Sequence, residues 1–148
     1  MHTVPEVVMA PQFSLPKLIA GPESPDWAER FHAAFTLGEM GSKARKAVPA
    51  LIEALKDTDS HVRKAAVLAL GEIGPEAREA VPALSDVLLN DEEPSVRRRA
   101  AVALGEIGAA QAIPALEVAH SHDDNAGVRQ MAAAALAEID ARALKAAA

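Results

Sequence analysis

Apolar residues recur along this chain at the three-and-four spacing of an amphipathic helix. Over 61–73, Val62, Ala66, Ala69, Leu70 and Ile73 fall on one side, which predicts a helix with a buried stripe. A second stripe follows a short turn, with Val81, Leu84 and Leu88 facing inward and Pro82 in the first turn, where a missing N–H costs nothing. We call the first helix of such a pair A and the second B. Asp59 stands where a side chain can cap the free N–H groups of helix A, and Gly74 stands where a helix closes.

The pattern repeats. Leu37-Gly38-Glu39-Met40-Gly41 returns as Leu70-Gly71-Glu72-Ile73-Gly74 and Leu104-Gly105-Glu106-Ile107-Gly108, then degraded as Leu136-Ala137-Glu138-Ile139-Asp140. A proline keeps the same phase at Pro16, Pro49, Pro82 and Pro114. Two landmarks sharing one period define an array of hairpins. Asp26, Glu93 and Asn125 occupy the capping position of Asp59. The inner glycines Gly38, Gly71 and Gly105 each cost about 1 kcal/mol against alanine in a helix, which implies that they admit a close neighbour. Alanine at 137 then implies looser packing in the last unit.

Val62-Arg63, Leu70-Gly71-Glu72-Ile73-Gly74 and Ala80-Val81-Pro82-Ala83-Leu84 closely resemble HEAT-like repeats of the phycobilisome-lyase type. The resemblance implies an all-α fold, an α–α superhelix built as a right-handed solenoid of HEAT-like hairpins. On that reading, 1–12 is a Pro-containing segment outside the repeats and 13–20 a partial helix B. Full repeats follow at about 25–57, 58–90 and 91–122, with a terminal partial repeat at 123–148. That last unit is expected to hold a helix A to about 139 and a truncated helix B. Neither end shows a polar capping repeat, so either the array associates weakly through its ends or the Pro-rich start folds over one of them. The fold specifies no activity, since such repeats occur in bilin lyases, a di-iron hydroxylase, DNA glycosylases and adaptors alike.

Composition narrows this. Half the residues are hydrophobic but only 3% aromatic, the interior of a close-packed, alanine-rich helical stack. A net charge of −6, with a single Trp27, argues against nucleic-acid binding and against base-holding glycosylase chemistry. The absence of cysteine excludes disulfides and thiolate chemistry. No apolar run approaches a membrane span and the start lacks a basic signal region, so the expectation is a cytoplasmic protein.

Three groups of side chains carry possible chemistry. Arg30, Arg63, Arg97 and Arg129 recur near the start of each helix A. Asp26, Asp59 and Glu93 lie four residues earlier, and Asp123 and Asp124 stand near the last. This reads as a ladder of charge-assisted hydrogen bonds between repeats. Arg98 then faces solvent, and Arg99 aligns with His32, Ala65 and Met131. His120 and His122 have a spacing that can chelate zinc, on a helix B expected to fray early, and form a weak metal candidate. A di-iron hydroxylase needs His-Glu pairs on successive helices; none occurs in the chain, so that activity is excluded on ligand count.

The expected function is a non-catalytic scaffold or adaptor, without cofactor, binding a protein or peptide. Helix B is expected to line the concave face. Lys46, Glu79 and Gln111 would form one row, Ala50, Ala83 and Ala115 a floor, and Glu53, Asp86 and Val118 a third row. An alanine floor with an acidic rim suits a basic or amphipathic partner. The alternative is an accessory subunit of a bilin lyase or a phycobilisome-associated protein.

Overall fold

The computed structural model describes residues 20–148, and no strand occurs among them. They form a right-handed α-solenoid. The A helices are α1 (Trp27–Met40), α3 (Ser60–Ile73), α5 (Pro94–Ile107) and α7 (Ala126–Ala147); the B helices are α2 (Val48–Ala54), α4 (Val81–Asn90) and α6 (Ile113–His122). The segment 1–12 and all but the last residue of the expected helix at 13–20 lie outside the described residues.

Local chemistry sets the boundaries. The Asp26 carboxylate accepts from the Ala28 N–H, Asp59 from those of His61 and Val62, and Asn125 from that of Val128. Glu93 makes no such cap, and Pro94, which needs none, takes the first helical position instead. At the other end, Gly41, Gly74 and Gly108 have φ of 57°, 78° and 75°. Only Gly108 is in the left-handed helical region; Gly41 and Gly74 pair positive φ with extended ψ, a combination in practice open only to glycine. From there the chain enters the 3₁₀ segments Gly41–Ala47 and Gly74–Ala80, which lead directly into α2 and α4.

Asp140 stands where the fourth such glycine would be. Without a residue that tolerates positive φ, α7 does not stop. It runs through the alanine-rich tail to Ala147, so the truncated helix B expected there is instead the continuation of helix A. Arg142 anchors the extension, donating to the Glu106 backbone carbonyl at 2.9 Å and to the Glu138 carboxylate at 3.0 Å.

The core is one continuous ribbon between the two layers. Leu37, Leu70 and Leu104 from layer A meet Leu51, Leu84, Leu88 and Leu116 from layer B, all without solvent exposure. The outer face of α1 departs from the pattern. Glu29, His32 and Thr36 occupy the positions at which α3 buries Val62, Ala65 and Ala69, so α1 carries a polar face after all.

Candidate interaction surface

The arginine ladder is built, with Asp123 and Asp124 among its acids as the sequence implied, but with Asp57 and Asp91 in place of Asp26, Asp59 and Glu93. Arg30 Nε donates to Asp57 at 2.7 Å, Arg63 Nε to Asp91 at 2.8 Å and Arg97 Nε to Asp123 at 2.9 Å; in each pair an Nη2 reaches the second carboxylate oxygen. Each arginine also donates Nη1 to carbonyls of its own turn: Ser24 and Pro25, Asp57 and Thr58, and Asp91 respectively. The carboxylate belongs to the following repeat, two residues before its capping position, where it also accepts the backbone N–H of Asp59, Glu93 or Asn125. Asp26 and Asp59 are not rungs, because their carboxylates are committed to capping their own helices. Glu93 contributes its backbone N–H only, while exposed Asp124 adds a 2.9 Å bond to Arg97.

Arg63 and Arg97 are buried, so their charges are held by these bonds in place of water. Burial pushes the Asp57 carboxyl up, but the Arg30 hydrogen bond, the Asp59 N–H and the charges of Arg30 and Arg63 hold it below the usual carboxylate range. Asp123 is lowered against the same burial by Arg97, the Asn125 N–H and Asp124. Arg129 reaches only the Asp123 carbonyl, at 2.7 Å, and has no carboxylate partner among the described residues. This network consumes the arginines: the stripe is a brace within the fold.

Two outward surfaces remain. On layer B, Lys46, Glu53, Glu79, Asp86, Gln111 and Val118 are exposed, and Ala50, Ala83 and Ala115 are half-buried between them. A shallow apolar groove of about 440 Å³ lies between α4 and α6, lined in part by Pro82, Leu89, Pro114, Ala115 and Val118.

Layer A is packed more closely. A Cβ on Gly38, Gly71 or Gly105 would stand 3.1 Å from the Cα of Ala69, Ala103 or Ala135 on the next helix A. The α1–α3, α3–α5 and α5–α7 interfaces are the most extensive in the fold, whereas α2 and α4 scarcely touch directly.

On the solvent side of layer A, positions one helical turn apart form three parallel stripes. Lys64 and Arg98 make a short basic stripe. Phe35 (48% exposed), Leu68 and Val102 (39% exposed) make an apolar one. Glu39, Glu72, Glu106 and Glu138 make an acidic one, and the Glu106 and Glu138 carboxylates lie over Gly71 and Gly105. Partial burial, then the charges of Glu72 and Glu138, raise the Glu106 carboxyl above its ordinary value against the pull of Arg142. A groove of about 340 Å³ between α1 and α3 is lined by Phe35, Leu68, Glu39 and Glu72.

His120 and His122 lie on one helix and point away from each other. Helix α6 continues to His122 without fraying early, and residues two apart on a helix point about 200° from one another. Asp123, the adjacent carboxylate, is held by Arg97. Among the described residues no group of three or more His, Asp or Glu side chains is arranged to hold a metal ion, and no helix is long and apolar enough to cross a membrane.

This two-layer stack of repeats defines a HEAT-type solenoid. The family profile of HEAT repeats matches residues 15–89 and 81–148, and the chain belongs to that family. No curated protein sequence matches it significantly. Among solved structures it is similar to the complex of CpcE and CpcF of phycocyanin lyase from Nostoc sp. PCC7120, with 30% identity, 91% of this chain and 56% of that chain covered, and a TM-score of 0.74. It is similar to human deoxyhypusine hydroxylase, with 32% identity, 86% and 43% covered, and a TM-score of 0.70. A designed armadillo repeat protein gives 25% identity, 84% and 64% covered, and a TM-score of 0.69. The chain spans less than two thirds of the length of each of these relatives.

Proposed function

We propose that this chain is a protein-interaction scaffold or adaptor that binds a basic or amphipathic segment of another protein on layer A. The carrying observation is the unequal spacing of the two layers. In a curved stack, the layer with the shorter rise per repeat lies inside, and the glycine–alanine contacts bring the A helices closest. Layer A is therefore taken as the concave face, in place of layer B. The arginine ladder braces the repeats from their turns, away from the Phe35, Leu68 and Val102 row offered to a partner.

Affinity capture from the native host with three forms of the chain tests this reading. Leu68→Asp places a charge in the middle of the layer A groove, and Ala83→Arg obstructs the half-buried row on layer B. A partner retained by Ala83→Arg and lost by Leu68→Asp supports the assignment. A partner lost only by Ala83→Arg returns the site to the rows around Ala50, Ala83 and Ala115.

The similarity to the phycocyanin lyase complex favours one second reading, an accessory subunit handling bilin chromophores. Incubation of the purified chain with free bilin, followed by gel filtration, separates the two. A visible absorbance band that co-elutes with the protein supports the lyase-type role, and its absence leaves the scaffold.

A further inference from the structure

We infer that the segment taken by layer A is an amphipathic α-helix lying across the A helices, with lysines or arginines on one flank and carboxylates on the other. The inference rests on the assignment of the working face to layer A and adds the chemistry of its occupant.

The three stripes fix the width. On α3 and α5, basic, apolar and acidic positions follow one another every four residues (Lys64, Leu68 and Glu72; Arg98, Val102 and Glu106), so adjacent stripes are about 6 Å apart and the outer two about 12 Å apart. An α-helix with its side chains is about 10–12 Å across. Seated with its apolar face on Phe35, Leu68 and Val102, it presents one flank to Glu39, Glu72, Glu106 and Glu138 and the other to Lys64 and Arg98. Spacing along the stripes agrees. Packed helices lie about 8–10 Å apart, so the occupant meets a new apolar rung roughly once per two of its own turns, the rise between residues i and i+7. Reaching all four glutamates takes three such intervals, or roughly 18 residues of helix.

Charge complementarity chooses the polarity. The acidic stripe has one carboxylate per repeat with no intervening cation of its own until Arg142. A row of cations on the bound helix would relieve the repulsion among Glu72, Glu106 and Glu138. A helix with lysines on both flanks would set one of them against Lys64 and Arg98. The occupant is therefore charged oppositely on its two flanks, and because a helix is chiral, that pattern also sets the direction in which its chain runs.

The lone tryptophan supplies the readout. Trp27 is half-exposed on α1, on the same outward side as Phe31 and Phe35, with its ring centroid 6.0 Å from that of His61. Three synthetic 18-residue helical peptides are titrated against the full chain, following Trp27 emission and calorimetry. All share leucines on one face; one carries lysines and glutamates on opposite flanks, one glutamines in place of the lysines, and one lysines on both flanks.

The expected result is binding of the two-flank peptide at least tenfold tighter than either control. That advantage should disappear in the Glu72→Gln, Glu106→Gln chain, which keeps its helical circular dichroism. Equal binding of all three peptides, or binding unchanged by the glutamine substitutions, overturns the charge pattern. If that happens while Leu68→Asp still abolishes binding, the face stands and only its occupant is wrong. If no peptide binds, or Leu68→Asp binds like the parent, the face itself is wrong.

Discussion

Gly71 faces the backbone of Ala103 across the α3–α5 interface, with room for a hydrogen and none for a methyl. A Cβ at Gly71 would meet the Ala103 Cα at 3.1 Å and the Glu106 Oε1 at 2.9 Å. The glutamate tip can move aside, but the backbone of α5 cannot without spreading the layer. Gly71→Ala gains about 1 kcal/mol of helix propensity, whereas overpacking costs about 1–3 kcal/mol. The expected outcome is a net loss of up to about 2 kcal/mol by chemical denaturation. The converse change, Ala137→Gly, falls at an exposed equivalent position and should simply lose about 1 kcal/mol.

Arg63 gives the second prediction. Its side chain is 9% exposed and that of Asp91 only 6%, so removing the guanidinium leaves a buried carboxylate without its cation. Arg63→Ala should lower stability by about 3 kcal/mol or more. Arg45 and Glu76 form the internal control, 3.9 Å apart and largely exposed, where Arg45→Ala should cost under about 1 kcal/mol. Urea denaturation midpoints decide it. Similar losses at the two sites would mean that the ladder contributes nothing beyond surface charge.

Much of this was legible in the chain itself. The in-phase strings around Leu37, Leu70 and Leu104 gave the period, and Asp26, Asp59 and Asn125 declared the helix starts as caps. Asp123 and Asp124 were named as acids of the ladder, but the Asp57 and Asp91 rungs were missed because an acid also stands four residues before Arg30, Arg63 and Arg97. Asp26 and Asp59, four residues earlier, cap their own helices and Glu93 offers only its backbone N–H, while the rung comes from Asp57, Asp91 or Asp123, distant in sequence by nearly a full repeat. Which layer lies inside depends on how closely helices approach. Periodicity carries no such distance; the repeated glycine marks only where two helices approach closely. At Asp140 the signal was present, since a missing glycine means a helix that continues, and it was read as a turn.

Acid should weaken the fold through the same ladder. The Asp57 and Asp123 carboxyls are lower in the folded chain than their ordinary value of 3.8, so the folded state binds fewer protons than the unfolded one. Their contribution is fully present above that value and is lost as pH falls through the lowered folded values. Stability measured between pH 5 and pH 2 should therefore drop, with part of the slope removed in Asp57→Asn and more in the Asp57→Asn, Asp123→Asn chain. An unchanged slope in the double variant would place the acid sensitivity elsewhere.

Glu106 behaves in the opposite sense. Burial and the neighbouring Glu72 and Glu138 raise its folded value above 4.5, with Arg142 the one cation opposing them, so ionising it costs the folded state more than the unfolded one. Its penalty is absent below about pH 4.5 and grows as pH rises through the raised value. Glu106→Gln should consequently stabilise the chain at pH 7, by less than about 1 kcal/mol because the group is partly solvated, and give no gain at pH 4. The same carboxyl couples to binding. A lysine flank seated on the acidic stripe favours the ionised form, so the two-flank peptide should release protons on binding and bind more tightly as pH rises from 4.5 toward neutrality. Calorimetry in two buffers of different ionisation enthalpy measures that release. The Glu106→Gln chain should show less of it, and equal release from both chains would remove Glu106 from the contact.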